Sequence, residues 1–385
     1  MLSSKFTQTL VFLTLGLLMV NASANVMIPA PPQLAASAYL LLDGDTGKVL
    51  VEQNADQQLP PASLTKMMTS YLVSAEIAKG TLGEDDPVDI SVKAWRMGGS
   101  KMFVREGTQV PVKDLLRGVI VQSGNDASVA LAERVAGSEK AFVDVMNQQA
   151  ELLGMRNTVY KNATGWPAEG HLTTARDLAL LARALIYDYP DHYKLYAEKY
   201  FKYNGINQPN RNRLLFRDSS VDGLKTGHTE EAGFCLVASA ERNGMRLISV
   251  VMGARSDEGR ASESQSLLDY GFRWFQTHKL YTAGMELGDS RVWAGKQDSV
   301  KLTIADDLFL TIPRGSADDL QAELHIDEVI KAPFSAGQVL GNLTVSLAGE
   351  TLVDVPLIAV EGVEQAGLFA RLWDMIVLFF LNLFS

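Results

Sequence analysis

The spacing of apolar residues changes several times along this chain, and each change predicts a different element. Tyr39-Leu40-Leu41-Leu42 and Val49-Leu50-Val51 flank the turn residues Asp43-Gly44-Asp45-Thr46-Gly47, which reads as a hairpin. After Pro60-Pro61-Ala62 the repeat becomes helical, with Leu64, Met67, Met68, Tyr71, Leu72 and Ala75 in phase. Ser63 falls at the start of that helix, where serine is favoured as a cap, and Lys66 lies one turn further on the same side. Further helices are predicted over 126–136, over 141–153 with Gly154 as its stop, and over 174–187. Beyond Lys225 the period shortens to that of strands. The runs 233–238 and 245–252 flank Arg242-Asn243-Gly244, a hairpin signal, and a last helix is expected over 262–277. Strands, a block of helices, then strands with a closing helix predict an α+β domain, an antiparallel sheet covered by helices.

From about Leu280 the pattern changes to short alternating strands, at 300–304, 308–312, 343–347 and 353–360, which predict a small all-β domain. The tail from Gly367 differs again. Arg371, Asp374, Asn382 and Ser385 fall on one narrow stripe at helical spacing, and apolar residues fill nearly everything else. The uncharged run 375–385 is too short to span a bilayer, so an amphipathic helix lying in a membrane surface fits the pattern best. A helix packed on the protein's own core and a tilted spanning tail are the alternatives.

The first residues have the form of a secretory leader. Lys5 supplies a positive start, Leu10 to Val20 a short apolar core, and Ala22-Ser23-Ala24 a cleavage site, which makes Asn25 the first mature residue. An uncleaved anchor is the alternative. The expected divisions are therefore a leader over 1–24, a catalytic domain over 25–278, a β-rich domain over 279–362 and an anchor helix over 363–385. Of the 385 residues 47% are hydrophobic and the formal net charge is −10, so the basic surface that nucleic acid requires is missing and that class of partner is set aside. The single cysteine, Cys235, excludes an intramolecular disulfide and reads as a buried thiol in a strand. The five histidines have no metal-ligand spacing, and neither a metal nor another cofactor is expected.

Three short motifs carry the chemistry: Ser63-Leu64-Thr65-Lys66, Ser123-Gly124-Asn125 and Lys225-Thr226-Gly227-His228. Each alone is commonly a cap, a turn or a strand end, and their joint occurrence in this order is what points to a site. A serine hydroxyl needs a nearby base, and Lys66 can serve if burial and a second cation, Lys225, depress its pKa. Ser123 is placed to relay the proton to a leaving amine, and Asn125 offers an amide to orient substrate and lysine. The backbone N–H groups of Ser63 and His228 are candidates for an oxyanion hole, and Lys225 and Thr226 for the terminal carboxylate of a peptide.

With these motifs the chain resembles the low-molecular-mass penicillin-binding proteins, specifically the D-alanyl-D-alanine carboxypeptidases of the penicillin-binding protein 5 and 6 type. The supporting stretches are Pro61 to Lys66, Val121 to Asp126, Ala175 to Ala179 and Val221 to Thr229. The resemblance covers the leader, a penicillin-binding domain, the β-rich domain and the tail. It implies a Ser63 acyl-enzyme that releases the terminal D-Ala from peptidoglycan stem peptides, covalent inhibition by β-lactams, and residence on the periplasmic face of the inner membrane. It also implies that Arg211 and Arg260 recognise the substrate carboxylate, with Gly227 and His228 in the same binding strand. Asp177 would lie behind the loop bordering the site, and His171 would match a histidine in that loop. A serine β-lactamase and a D,D-endopeptidase share the motifs. The Glu-x-x-Leu-Asn pattern of class A β-lactamases is missing, with Glu169 in a comparable region, and endopeptidases generally lack the second domain and tail.

Overall fold

The structure, a computed structural model, describes residues 27–384, with side chains to Leu381. The leader expected over residues 1–24 lies outside the described residues, as do the side chains of Asn382 and Ser385 from the polar stripe of the tail.

The strand Ala38–Asp43 is buried throughout, which explains an apolar run without alternation. Leu40 and Leu42 enter the core shared with the helical block, while Tyr39 and Leu41 enter a second core under the closing helix. The sheet has five antiparallel strands in the order Val49–Gln53, Ala38–Asp43, Met245–Ala254, Gly233–Arg242, Val221–Thr229. Asn243 and Gly244 both take positive φ, 53° and 77°, in the two-residue turn that joins the Gly233–Arg242 and Met245–Ala254 strands. Cys235 is buried in the sheet, as expected.

The helical block contains Lys66–Ala78, Val112–Ile120, Asn125–Ala136, Glu139–Leu152 and Ala175–Asp188. Its starts are capped by the residues the sequence offers: Ser138 Oγ accepts from the Ala141 N–H and Thr174 Oγ1 from the Asp177 N–H. Lys66–Ala78 is the central helix. Every residue from Lys66 to Ala75 is buried, so its polar members must find partners inside; Thr69 Oγ1 donates to Ala163 O at 2.7 Å. Ser63 is not the cap of this helix. It lies in a single 3₁₀ turn, Ala62–Thr65, and its hydroxyl meets the Lys66 ammonium instead of a backbone N–H.

The closing helix also differs from expectation. It spans Asp257–Trp274 and so starts five residues before the expected 262, because Ser256 Oγ caps it by accepting from the Gly259 N–H. Phe275–Tyr281 then leaves it as a strand paired with Leu308–Pro313. Thr277 Oγ1 donates to the buried carboxylate of Asp43, and Lys48 Nζ to Thr311 O at 3.1 Å, so this strand pair joins the catalytic domain to the all-β domain. The latter is built on a six-stranded sheet in the order Leu320–Ile326, Val339–Leu347, Glu350–Ala359, Ser299–Thr303, Gly288–Trp293, Ile330–Lys331. The tail forms one helix, Leu368–Phe384.

Candidate active site

The nucleophile turn is held between a strand and a loop. A Cβ on Gly227 would lie 3.1 Å from Pro61 O and 3.3 Å from Ala62 Cβ, so the Val221–Thr229 strand packs directly on the turn. On the other side a Cβ on Gly165 would fall 1.7 Å from Ala62 O, and the close approach of that loop requires glycine. Ala62 itself has a φ of 46°, a strained conformation that the two neighbours enforce. The turn leads straight into the central helix, so Ser63 Oγ accepts a hydrogen bond from Lys66 Nζ at 2.9 Å. The same ammonium donates to Thr164 O at 2.5 Å. Thr164 was not singled out from sequence, and no side-chain pattern would have found it, because it contributes a backbone carbonyl.

Ser123 and Asn125 sit at the junction of Val112–Ile120 with Asn125–Ala136. Ser123 has a φ of 63°, and the Asp126 carboxylate next to it fixes the opposite loop by accepting from the N–H groups of Met102, Phe103 and Val104. Ser123 Oγ accepts from Lys225 Nζ at 3.0 Å, and Lys225 Nζ also donates to Thr226 O at 3.0 Å. Asn125 Nδ2 donates to Gly98 O at 2.8 Å, not to the lysine. Ser63, Ser123, Thr226, Gly227, His228 and Arg211 line one cleft of about 430 Å³.

Both lysines are buried, and burial is the first reason each gives up its proton easily. Lys66 is pushed down to about 7, by burial and then by the guanidinium of Arg211, with the Asp126 carboxylate opposing. Lys225 is driven well below its ordinary value by burial and then by Lys66, Arg211 and Arg260. Arg211 acts on both lysines, and the two lysines disfavour each other's charge, as the sequence suggested for Lys225. Lys225 sits among three other cations, Lys66, Arg211 and Arg260.

The two arginines occupy different positions. Arg211 lines the cleft and makes no hydrogen bond or ion pair among the described residues. Arg260 is buried and already engaged: it donates to Gly227 O at 3.0 Å, pairs with Asp257 and stacks on Phe234. His228 is exposed and packs against the same Phe234 ring, with centroids 4.0 Å apart. Asp177 lies behind the loop, where its carboxylate accepts from the Asn157 N–H and Thr158 Oγ1. His171 does not reach the catalytic cleft. It is buried under the loop against Thr65 Oγ1 at 3.1 Å, and burial pushes its pKa down to about 4. Glu169 is exposed on the far side of the loop.

A serine activated by a buried lysine, facing a second lysine–serine pair in a sheet-and-helix domain, defines a serine hydrolase that works through acyl transfer. The chain belongs to the D-alanyl-D-alanine carboxypeptidase family of serine peptidases, peptidase S11, whose profile matches residues 25–256; the profile of the penicillin-binding protein 5 C-terminal domain matches residues 275–365. It is 45% identical over 373 residues to D-alanyl-D-alanine carboxypeptidase DacA of Escherichia coli K12, covering 95% of this chain and 93% of that protein. The crystal structure of penicillin binding protein 5 from Haemophilus influenzae superimposes with a TM-score of 0.84 at 44% identity, over 88% of this chain and all of the other. Penicillin-binding protein D2 of Listeria monocytogenes, solved with ampicillin bound, matches 63% of this chain and all of its own at a TM-score of 0.59 and 33% identity.

Proposed function

We propose that this protein removes the terminal D-Ala from peptidoglycan stem peptides ending in D-Ala-D-Ala, through an acyl-enzyme on Ser63. The observation that carries the assignment is the pair of lysine–hydroxyl contacts, Lys66 to Ser63 at 2.9 Å and Lys225 to Ser123 at 3.0 Å, in one cleft. Neutral Lys66 accepts the Ser63 proton as Oγ attacks the carbonyl carbon between the two D-Ala residues. The oxyanion that forms is met by the backbone N–H groups of Ser63 and His228. Ser123 passes a proton to the leaving amine, the C–N bond breaks and D-Ala departs. Water then attacks the ester by the same route and restores Ser63. Lys225, Thr226 and Arg211 take the substrate carboxylate, and Arg260 holds the strand at Gly227 from behind. β-Lactams fit the same site as cyclic amides whose leaving nitrogen stays tethered after ring opening, which leaves the serine acylated.

D-Ala release from a peptide ending in D-Ala-D-Ala tests the reading beside the Ser63→Ala variant. Release that disappears in the variant is the expected result. No release by the unaltered protein, combined with rapid and complete penicillin hydrolysis, would make it a β-lactamase instead.

The tail helix supports a second part of the proposal, attachment to the periplasmic face of the inner membrane. No helix of the described residues is long and apolar enough to cross a bilayer. Yet Phe369, Trp373 and Phe379 of the tail are 86%, 67% and 64% exposed, while Asp374 Oδ2 accepts from the Ala294 N–H of the β domain at 2.7 Å. A helix tethered on its polar stripe and bare on its aromatic face is suited to lying in the membrane surface. Deleting residues 367–385 should move the protein from the membrane to the soluble fraction; unchanged partitioning of a leader-free protein refutes the anchor.

A further inference from the structure

Lys66 is aimed by a distant carbonyl as well as by its own helix. Its Nζ donates to Thr164 O at 2.5 Å, across 98 residues of chain, in the loop that packs on the nucleophile turn. That carbonyl belongs to the trans peptide joining Thr164 to Gly165. A trans peptide is planar, and its C=O and N–H point in opposite directions. Whatever holds the Gly165 N–H therefore sets where the Thr164 carbonyl points. The holder is Asn162, whose Oδ1 accepts from the Gly165 N–H at 2.8 Å.

The same oxygen accepts from the Thr164 N–H at 3.1 Å, the Trp166 N–H at 3.0 Å and Thr164 Oγ1 at 2.9 Å. The amide nitrogen faces the other way. Asn162 Nδ2 donates to Trp166 O at 2.8 Å and lies 3.4 Å from Nδ1 of His171, whose Nε2 is 3.1 Å from Thr65 Oγ1. Oxygen toward donors and nitrogen toward acceptors fixes the orientation of the amide. The nitrogen side also ties Asn162 to the residue just before Lys66. One peptide earlier the loop is hooked to the central helix again: Ala163 O accepts from Thr69 Oγ1 at 2.7 Å, and the Ala163 N–H donates to Glu139 at 3.1 Å. Asn162 itself does not line the catalytic cleft.

We propose that Asn162 is a positioning residue for the general base: by clamping the Thr164–Gly165 peptide it aims the Thr164 carbonyl at Lys66 and so holds the amine toward Ser63. The inference rests on the reading of Ser63 as nucleophile and Lys66 as base. A neutral amine has two protons and one lone pair. With one proton held toward Thr164 O, the lone pair is kept on the side of Ser63, where it takes the hydroxyl proton. Without the clamp the carbonyl turns away and the amine rotates freely. The carbonyl also accepts from the ammonium and so favours the charged form, and its loss lowers the pKa of Lys66.

The test compares the full-length wild type with Asn162→Ala and Asn162→Asp, reading D-Ala release and the rate of Ser63 acylation by a fluorescent penicillin, each against pH. Asn162→Ala should lower kcat and kcat/KM together by about ten- to hundredfold, the cost of misplacing a reacting group, with peptide KM little changed. Its acid limb of kcat/KM should move below pH 7. Arg211, Lys225 and Asp126 around Lys66, and Glu139, Lys161 and the neutral His171 around the loop, are the same in every variant. Asn162→Asp keeps an oxygen for the three N–H groups and adds an anion, so kcat should return to within about tenfold of the wild type and the acid limb should lie above pH 7. Penicillin acylation should follow the same order, because the same proton transfer begins it. A wild-type kcat and acid limb in Asn162→Ala overturns the proposal. So does a loss of activity whose acid limb stays in place in both variants, the result of a purely structural role. Thermal melting identifies a variant that does not fold; if that is the alanine variant, the acid limb of Asn162→Asp decides alone, supporting the proposal above pH 7 and overturning it if unmoved. No D-Ala release by the wild type, with penicillin acylation intact, overturns the carboxypeptidase reading alone, and the acylation profiles still decide the role of Asn162.

Discussion

Lys66 and Lys225 repeat one arrangement, a buried ammonium 3 Å from a serine hydroxyl with a backbone carbonyl as its second acceptor. Their surroundings separate them. Lys66 opens the central helix and has the Asp126 carboxylate in its field, which partly offsets burial and Arg211 and leaves its pKa at about 7. Lys225 lies on the edge strand among Lys66, Arg211 and Arg260 and has no carboxylate among the groups acting on it. The helix-side lysine is thus poised to be a base at neutral pH. The strand-side lysine lacks an anion, and the substrate carboxylate supplies one. Similar side chains divide into a base and a binding group through their neighbours alone.

Replacing Lys66 with Met breaks the comparison most severely. Loss of the base should lower kcat/KM for D-Ala release by about 10²–10⁴-fold. Stability should move the other way. The folded pKa of about 7 lies below the ordinary lysine value, so the native state binds fewer protons than the unfolded chain between those two values. The group's contribution is therefore least favourable below about pH 7 and improves as pH rises toward its unfolded pKa. Lys66→Met removes that penalty, and at pH 7 the protein should gain about 1–4 kcal/mol, the range seen when buried charges give way to apolar groups. A lower thermal midpoint would mean that the contacts to Ser63 Oγ and Thr164 O outweigh the cost of burial.

Lys225→Met sharpens the comparison by asking which lysine loses its proton first. Peptide KM should rise by at least about tenfold as a charged contact to the carboxylate is lost. The acid limb of kcat/KM, which reports the free enzyme, should move above pH 7, because removing Lys225 removes a cation that disfavours the charged form of Lys66. An acid limb that stays near pH 7 would mean that Lys225 is already neutral when Lys66 titrates.

Much of this was legible in the sequence because it depends on local pattern. The three motifs, the Asn243-Gly244 turn and the apolar strands follow from residue type and period, and the structure has them where the pattern puts them. What the pattern did not show depends on partners distant in the chain. His171 has a suitable place in the loop, yet its ring is drawn inward by Thr65, 106 residues away. The helix expected to reach residue 277 stops at Trp274 because Phe275–Tyr281 finds a strand partner in the second domain. The Thr164 carbonyl at Lys66 is a product of folding that no linear motif records.

The smallest effect expected is also the one that separates the two arginines. Arg211 stands in the cleft without a protein partner, whereas Arg260 is engaged by Gly227 O and Asp257. Arg211→Ala should raise peptide KM by about three- to tenfold with little change in kcat, the pattern of a group that binds ground state and transition state alike. It should also move the acid limb of kcat/KM above pH 7, since the guanidinium is the cation that helps to hold Lys66 down. Arg260→Ala, by contrast, frees the carbonyl of Gly227 and loosens the strand that carries His228, so its loss should fall on kcat. A KM effect from Arg260→Ala equal to that of Arg211→Ala, with kcat untouched, would show that Arg260 leaves Asp257 to meet the substrate carboxylate directly.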